Sequence, residues 1–414
     1  MKKCLWLFLA ASLYACSADG SENPLPGNDN QDPSDNPDVP EEWAYWTDPS
    51  ASVGLQVRGD EDPAFWLGDE KFYETGVNCY DLFLASISKN GDGSWSFDTS
   101  LSQDMMRILK RNEVGVVRFS GCVYYAQDIP AYVENKQRYL STLARIANLA
   151  EQLHIGLIPS IIWQYRAIPD YCGEGTAAWG RADSKTIAFM KEYVKDVVTT
   201  LSRFKSIYAW EFGNELNLDA DLPNWQDIFN TTDPEYHFTH ADLNFAFRTF
   251  IEVVQENDPA GRAIISGHAN LRNSQYHQYA FNSWGTDSQE EYRTITGIVT
   301  PDGMQCSEHI YELTRPFAGM GTVGLEDRLR IARQTAASLG KTYVVGEFGA
   351  SSDDGYKTYY DALLRTGIQL SLVWNFSILG NIEYSFTADS DRGVLLFDHI
   401  RRYNERFREI YGGK

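Results

Sequence analysis

Short apolar runs alternate with amphipathic stretches along most of this 414-residue chain. A run of roughly four to eight apolar, often β-branched residues is typical of a buried parallel strand, whereas apolar residues every three or four positions are typical of a helix. Strict alternation of the two predicts parallel strands joined by right-handed crossovers. Strands are predicted at residues 74–78, 114–119, 155–162, 207–214, 263–267, 307–311, 342–347 and 370–376.

Eight such strands favour a closed (β/α)8 TIM barrel, an α/β fold whose functional residues follow the carboxyl ends of the strands. An open doubly wound sheet is the alternative. It is disfavoured because no glycine-rich phosphate turn follows the first strand. Helices between the strands are predicted at residues 101–111, 139–153, 185–204, 243–256, 325–339 and 355–366.

Two additions to the barrel are expected within the domain that we assign to residues 46–414. A small N-terminal β-hairpin is predicted at residues 65–73, around a turn at Gly68-Asp69. The length from 65 to 410 exceeds the roughly 250 residues of a typical barrel. The loops that follow the strands are therefore enlarged, most visibly at residues 268–305.

The N-terminus resembles the export signal of a bacterial lipoprotein. Two lysines precede an apolar run at residues 5–13 that is too short to span a bilayer as a helix. The run ends in Leu-Tyr-Ala-Cys at residues 13–16, which is similar to a lipobox, where the cysteine becomes the lipid-modified first residue after cleavage. This resemblance implies a signal peptide at 1–15 and lipidation of Cys16. An ordinary signal peptide with an incidental cysteine is the alternative.

The segment after Cys16 predicts a disordered tether at residues 16–45. Residues 17–42 contain eight Asp or Glu, five Pro and no Lys or Arg, so they cannot bury enough apolar area to offset the entropy of ordering. We expect an exported lipoprotein of a Gram-negative outer membrane, on the cell surface or the periplasmic face, which touches the membrane only through its lipid. The acidic residues Asp19 and Glu22 favour surface display.

Composition excludes several classes of partner. With a formal net charge of −21, no basic face exists to displace counterions from the phosphates of nucleic acid. The charge also disfavours an acidic glycan, whereas a neutral glycan is not repelled. Aromatic residues make up 14% of the chain, which fits rings that stack on sugars or a large aromatic core. We expect a monomer.

No bound metal or cofactor is expected. The sequence lacks the Cys-x-x-Cys or clustered His spacing of a zinc site. Asn217-x-Asp219-x-Asp221 has the spacing of a calcium loop, but Leu222 stands where an EF-hand needs glycine. Four further cysteines allow three disulfide pairings in an exported protein. They are Cys79, Cys122, Cys172 and Cys306, of which the first two follow successive strands and are candidate neighbours.

Polar and aromatic residues follow the predicted strands, and two of them are acids, Glu215 and Glu347. Hydrolysis of a glycosidic bond with retention requires two carboxyl groups about 5 Å apart, one to attack and one to protonate the leaving oxygen. Opposed strands of a barrel can supply such a pair. The residues at the strand ends are Asn78, Tyr80, Arg118, Trp163, Asn214, Glu215, His268, His309, Tyr311, Glu347 and Trp374.

In these positions the chain resembles the clan A glycoside hydrolases, most closely family 5, which contains many β-mannanases and cellulases. The resemblance extends from Phe65 to about Phe397. The segments that carry it are Gly-Val-Asn-Cys-Tyr at 76–80, Arg118, Trp-Glu-Phe-Gly-Asn-Glu at 210–215, His-Ile-Tyr at 309–311, Gly-Glu-Phe-Gly at 346–349, and Trp374.

The resemblance implies roles for these residues. Glu215 would be the acid/base and Glu347 the nucleophile of a retaining enzyme, with Arg118 and Tyr311 keeping Glu347 ionised and oriented. An acid that stays protonated near neutral pH needs a raised pKa, which a half-buried position beside a second carboxylate supplies. The implied substrate-binding residues are Arg118, Asn214, His309, Tyr311, Trp374, Asn78 and Trp163.

Among them, Asn214 would bind the sugar hydroxyl next to the reacting carbon, His309 would orient sugar or acid, and Trp374 would lie beneath the reacting sugar. Three further tryptophans are candidates for stacking on more distant sugars, and they are Trp179, Trp225 and Trp284.

Two positions depart from the family pattern. Leu216 follows the acid where the family commonly has Pro, and Trp163 occupies the region where the family has His after the third strand. Substrate and subfamily are therefore less well defined than the chemistry. Three alternatives stay open: Arg118 as the partner of Glu211 inside the barrel, His309 as a core histidine, and His268 as a site or loop residue.

The sequence thus predicts a retaining β-glycosidase, endo- or exo-acting, that cleaves a β-mannan or β-glucan without a cofactor. The alternative from another class is a cell-surface glycan-binding lipoprotein that has the barrel but no activity. It is disfavoured because both carboxylates are present together with Arg118 and Tyr311.

Overall fold

The computed structural model describes residues 53–378 and 384–412. The predicted signal peptide at 1–15, the lipidation of Cys16 and the tether at 16–45 lie outside the described residues. Among the described helices, none is both long enough and apolar enough to cross a bilayer.

Strands and helices alternate over the described residues. The strands are β1 (Leu55–Arg58), β2 (Ala64–Leu67), β3 (Glu70–Lys71), β4 (Glu74–Asn78), β5 (Ile87–Lys89), β6 (Trp95–Phe97), β7 (Val116–Ser120), β8 (Gly156–Ile162), β9 (Ala209–Gly213), β10 (Ala263–Ile265), β11 (Cys306–Ile310), β12 (Thr314–Phe317), β13 (Gly321–Gly324), β14 (Tyr343–Phe348) and β15 (Leu370–Val373). The helices are α1 (Ser100–Arg111), α2 (Pro130–Glu134), α3 (Lys136–Leu153), α4 (Ala167–Cys172), α5 (Lys185–Leu201), α6 (Trp225–Phe229), α7 (His240–Asn257), α8 (Gln275–Phe281), α9 (Gln289–Val299), α10 (Leu325–Ser338), α11 (Asp353–Thr366) and α12 (Asp391–Tyr411).

Eight parallel strands form one barrel, in the order β4, β7, β8, β9, β10, β11, β14, β15 and back to β4. The circle closes between β10 and β11, where the N–H of Gln305 donates to the carbonyl of Ile264 (2.7 Å) and the N–H of His309 to that of His268 (3.1 Å). The predicted (β/α)8 barrel is confirmed, and each strand lies within a few residues of its predicted position.

Side chains on the strands alternate between the barrel interior and the surrounding helices. On β9, Trp210 and Phe212 belong to the outer apolar core, and the Phe212 ring lies 4.7 Å from that of Phe247 on α7. Ala209 and Glu211 face inward instead, Ala209 towards an apolar cluster and Glu211 towards Arg118. The interior is therefore apolar at the amino ends of the strands and polar nearer their carboxyl ends.

The predicted hairpin is confirmed as β2 and β3, and it has a third antiparallel strand, β1. The N–H of Leu55 donates to the carbonyl of Tyr208, just before β9 (2.7 Å). Leu55, Phe65 and Phe72 are buried against the apolar interior cluster of the barrel. The small sheet thus covers the amino-terminal end of the barrel, opposite the end where polar residues collect.

The six predicted helices correspond to α1, α3, α5, α7, α10 and α11. The connection predicted to be enlarged at 268–305 is long, and it contains α8 and α9, which were not predicted; α9 is the crossover from β10 to β11. The final helix, α12, was not predicted.

Candidate active site

Glu215 lies two residues beyond the end of β9, and its backbone fixes its direction. It has φ +56°, in the left-handed region, and its N–H donates to the carbonyl of Gly267 (2.8 Å). Gly267 has φ +68°, and a Cβ there would lie 1.8 Å from the carbonyl oxygen of Gly213 and 2.8 Å from the carboxyl carbon of Glu211. Only glycine fits, and this close approach turns Glu215 towards the cleft, where its side chain is 27% exposed.

Glu347 points into the barrel because β14 has a bulge. Val344 faces the interior cluster and Val345 the outer core, so strict alternation would turn Glu347 outward. The register between β11 and β14 shifts between Glu308 and His309, so that Val345 pairs with Glu308 and Glu347 with His309. A bulge that adds one residue to a strand redirects the side chains that follow. Glu347 is therefore buried inside the barrel mouth.

Arg118, from β7, is the cation that holds these groups together, and its side chain is fully buried. Its Nε donates to both carboxylate oxygens of Glu211 (2.8 and 3.0 Å). Its terminal nitrogens donate to Oε1 of Glu347 (2.8 Å), to Oδ1 of Asn78 (2.8 Å) and to Oδ1 of Asn214 (2.8 Å). The two proposed roles of Arg118, as partner of Glu211 and as partner of Glu347, are therefore both present.

Asn78 and Asn214 differ in what they can offer a ligand. Asn78 is fully buried, and its amide nitrogen donates to the carbonyls of Gly346 (3.0 Å) and Leu372 (3.2 Å). This arrangement supports a role in positioning Arg118. Asn214 is only partly buried and accepts from Arg118 through Oδ1, which leaves its Nδ2 as the donor available to a sugar hydroxyl.

His309 lies between the two acids. Its Nδ1 is 3.0 Å from Oε1 of Glu215 and 3.3 Å from Oε1 of Glu347. Burial lowers the pKa of His309 to about 4, although the nearby Glu347 charge raises it. The ring is therefore neutral at neutral pH. One carboxylate oxygen of each glutamate and one His309 nitrogen all lie within 4.8 Å of one another.

The environments of the two acids favour different protonation states. Burial raises the pKa of Glu215 to about 7, with the charge of Arg118 lowering it and that of Glu312 raising it. Burial raises the pKa of Glu347 as well, against the opposing effects of His309 and Arg118. Because Glu347 accepts directly from Arg118, and from the Tyr311 hydroxyl through Oε2 (2.7 Å), we infer that Glu347 ionises first.

Two tryptophans and a tyrosine line one side of this group. The rings of Trp163 and Trp374 are stacked with centroids 6.3 Å apart, and Tyr80 lies 5.4 Å from Trp163 and 6.1 Å from Trp374. The guanidinium of Arg118 lies 4.9 Å from the centre of the Trp163 ring. These rings form an aromatic wall beside the acids. Trp374 is the more exposed of the two tryptophans and is the one placed to meet a sugar.

Other predicted residues lie elsewhere. The prediction that Trp179 stacks on sugars was wrong, because it is fully buried in the outer core and its indole N–H donates to the carbonyl of Tyr165 (2.8 Å). His268 is also buried, and its Nε2 bonds to the carbonyl of Val299 (2.9 Å), which is a structural role. Trp225, the first residue of α6, stacks on His237 with ring centroids 4.9 Å apart. Trp284 lies between α8 and α9 and is 56% exposed.

The cysteines of the described residues form no disulfide. Cys79 and Cys122, the candidate neighbours among three possible pairings, are both free and buried. Cys79 lies 3.6 Å from the sulfur of Met105, and the thiol of Cys122 accepts from the N–H of Trp163 (3.1 Å). Cys172 and Cys306 are free as well.

Several acidic side chains outside the site, in the loops after β9 and β10, are hydrogen-bonded to other groups of the protein. Asp219 accepts from the hydroxyl of Tyr165, and Asp221 lies 2.6 Å from Nδ1 of His240. In the described part of the chain, one further cluster has the spacing for an ion, His277 with Asp287 and Glu291. Its carboxylates accept backbone N–H groups, from Tyr276 (2.9 Å) and Ser288 (2.7 Å) respectively.

Sequence reasoning missed two residues beside the acids. The charge of Glu312, next to Tyr311, raises the pKa of Glu215. The pKa of Tyr124 is raised mainly by burial, then by Tyr125, and also by the charge of Glu215. The aromatic pair Tyr124-Tyr125, soon after the second barrel strand, was a signal that could have been used.

Comparisons with known proteins identify the family and the fold. Residues 74–380 match the family model described as cellulase (glycosyl hydrolase family 5). A mannan endo-1,4-β-mannosidase A from Hypocrea jecorina is 25% identical over 175 residues, which covers 40% of this chain and 39% of that relative.

Among solved structures, an endo-1,4-β-mannanase from Rhizomucor miehei has a TM-score of 0.60 and 14% identity, covering 85% of this chain and 99% of that one. A β-glucanase from Saccharophagus degradans has a TM-score of 0.54 and 14% identity, and the match covers 88% of this chain and 96% of that one. At these identities the likeness shows the shared fold. Because the family model covers most of the barrel, the chain belongs to glycosyl hydrolase family 5.

Proposed function

We propose that this protein hydrolyses β-glycosidic bonds with retention, using Glu347 as the nucleophile and Glu215 as the acid/base. The observation that carries the proposal is the approach of the two carboxylates, with an oxygen of each within 4.8 Å. Retaining enzymes hold their carboxyl groups about 5–5.5 Å apart, whereas inverting enzymes need about 6.5–9.5 Å to admit a water molecule.

In the first step, the carboxylate of Glu347 attacks the anomeric carbon and forms a glycosyl ester. Glu215 gives its proton to the departing glycosidic oxygen, so the leaving sugar departs as a neutral alcohol. The raised pKa of Glu215, about 7, supports its role as the acid. Arg118 and Tyr311 hold Glu347 in position for the attack.

In the second step, the ionised Glu215 accepts a proton from water, whose oxygen attacks the anomeric carbon. The bond to Glu347 breaks, and its carboxylate is regenerated. Two inversions at one carbon give net retention. Neutral His309, 3.0 Å from Glu215, orients that carboxyl in both steps without adding a charge.

A β-mannan or β-glucan is the proposed substrate. The names of the similar proteins support it, since they include mannanases and a β-glucanase. Trp374, which is partly exposed and stacked on the buried Trp163, supplies a flat apolar face of the kind that a sugar ring covers. Both endo and exo action fit this wall.

The test is a panel of β-mannan, β-glucan, xyloglucan and xylan with measurement of released reducing ends and product sizes. Glu347→Gln should abolish turnover, and Glu215→Gln should lower it by about 10²–10⁴-fold. Glu326→Gln, an exposed acid on α10, is the control and should leave the rate unchanged. Tight glycan binding without hydrolysis by the wild-type protein would support the non-catalytic alternative and refute ours.

We also propose that residues 1–15 are a signal peptide, that Cys16 carries lipid and that residues 16–45 tether the domain to an outer membrane. The Leu-Tyr-Ala-Cys sequence at 13–16 supports the proposal. In cell fractionation, the wild-type protein should sediment with outer membranes and Cys16→Ser should be released. Equal partition of the two would contradict lipidation.

A further inference from the structure

Two consecutive tyrosines after β7, Tyr124 and Tyr125, extend the aromatic wall away from the acids. The ring of Tyr124 meets that of Tyr80 edge-on at 6.5 Å, and Tyr125 meets Tyr124 edge-on at 4.6 Å. Tyr80 in turn contacts both Trp163 and Trp374. The aromatic side chains are thus continuous from the catalytic centre to the Tyr124–Tyr125 pair.

Burial falls along this row. Trp163 is 5% exposed, Tyr80 and Tyr124 are partly exposed, and Tyr125 is 47% exposed. Contiguous exposed apolar surface marks interaction sites, whereas single exposed apolar side chains are normal, and Tyr125 continues a row of aromatic rings. The row therefore leads outward from the acids along the ends of β4 and β7.

The backbone at Tyr125 is held by hydrogen bonds, and its ring packs against Tyr124. The N–H groups of Asp128 and Ile129 donate to the carbonyls of Tyr125 (2.9 Å) and Ala126 (3.2 Å), which forms a short 3₁₀ turn before α2. A ring on an ordered backbone and in contact with a second ring loses less conformational freedom on binding a ligand than a ring on a mobile loop.

Tyr124 is near enough to Glu215 for the charge of that acid to affect its pKa. Burial raises the pKa of Tyr124, and the charges of Tyr125 and Glu215 raise it further. The pKa of Tyr80 is raised by burial and then by Asp81, Tyr124 and Tyr125. The Tyr80 and Tyr124 rings lie 6.5 Å apart, and both phenols are protonated at neutral pH and able to donate hydrogen bonds.

We propose that the Tyr124–Tyr125 pair binds the sugar units of a β-glycan that follow the reacting sugar on the β4 and β7 side. The inference rests on the proposed function and deepens it, because it makes substrate length a determinant of rate. A pyranose ring has apolar C–H faces and a rim of hydroxyls, so it matches an edge of tyrosine rings with phenol donors. Binding energy from these remote sugars would lower the barrier at the bond that breaks.

The test measures kcat/KM for β-1,4-linked manno- and gluco-oligosaccharides from disaccharide to hexasaccharide, in the wild-type protein, Tyr125→Ala and Tyr125→Phe. For the wild-type protein, kcat/KM should rise with chain length. In Tyr125→Ala the ratio of long-chain to short-chain kcat/KM should fall about tenfold, or about 1.4 kcal/mol. Tyr125→Phe, which keeps the ring, should retain most of the ratio.

Tyr279→Ala is the matched control, since Tyr279 on α8 is 44% exposed and lies in the loop after β10, across the barrel from β4. It should keep the wild-type ratio. A ratio unchanged in Tyr125→Ala, or lowered equally in Tyr279→Ala, would overturn the inference while leaving the proposed function intact. Failure of the wild-type protein to cleave any of these chains would overturn both.

Discussion

Replacing Arg118 with methionine tests how the acids are held. Methionine removes the charge and every donor while filling much of the same volume. The substitution removes the Arg118 hydrogen bonds to four acceptors: the carboxylates of Glu211 and Glu347 and the amide oxygens of Asn78 and Asn214. Both carboxylates are almost inaccessible to water, so solvent cannot replace the lost donors.

The expected cost follows from that burial. Removing one partner of a buried ion pair costs about 3–5 kcal/mol, because the remaining charge is left without compensation. We therefore expect Arg118→Met to lower the free energy of unfolding by about 3–5 kcal/mol. Urea denaturation followed by tryptophan fluorescence at neutral pH measures the loss, as a shift of the midpoint at constant slope.

Arg333→Met is the control. Arg333 is 42% exposed and its nitrogen lies 3.3 Å from Asp62, so its loss should cost no more than about 1 kcal/mol. In the double variant Arg118→Met with Glu211→Leu, removal of the stranded carboxylate should restore part of the stability. A loss in Arg118→Met no larger than that in Arg333→Met would refute the reasoning.

Three further variants test the site. Because Glu215 has a pKa of about 7 and is proposed to act in its protonated form, kcat/KM should fall as the pH rises through about 7. This fall should be absent in Glu215→Gln, and its persistence there would contradict the assignment. Tyr311→Phe removes a 2.7 Å hydrogen bond that favours the ionised form of Glu347, so the rise of kcat/KM on the acidic side of its pH profile should move to higher pH. The value of kcat/KM should fall about 10–100-fold, and an unmoved acidic side would contradict the proposed role of Tyr311. Gly267→Ala should unfold at a temperature well below that of Gly261→Ala, which has a similar φ of +62° but open space at Cβ; equal melting points would show that the clash is unimportant.

The barrel and the order of its site residues were predictable because each is a local property of the sequence. Apolar runs such as 155–162 match buried strands directly, and a residue after a strand end must lie at the carboxyl-terminal face. Glu215 follows that rule and Glu347 lies one residue before the end of β14, so the sequence predicts that both acids lie near the carboxyl-terminal face. The structure adds the distance between them.

Other features depend on contacts distant in sequence. The bulge in β14 that turns Glu347 inward arises from the register with β11, and the conformation of Glu215 depends on the close approach of Gly267. Trp179 carries no local sign of its burial against Phe212. The helices α8 and α9 interrupt a polar segment rich in turn residues, which masks their short apolar periods.

The chemistry of the acids depends on burial as well. Two glutamates after two strands look alike in the sequence. The contacts of Glu347 with Arg118 and Tyr311, and that of Glu215 with neutral His309, give the two carboxyl groups different environments, which supports the proposed division of roles.

Trapping the glycosyl-enzyme tests the central claim most directly. A 2-deoxy-2-fluoro-β-glycoside of the preferred sugar, with a good leaving group, allows the first step and slows the second, because fluorine destabilises the oxocarbenium-like transition state. Mass spectrometry of peptide fragments should show one fluorosugar on Glu347 of the wild-type protein and none in Glu347→Gln. A label on Glu215 or another residue, or release of inverted product without a label, would contradict the account.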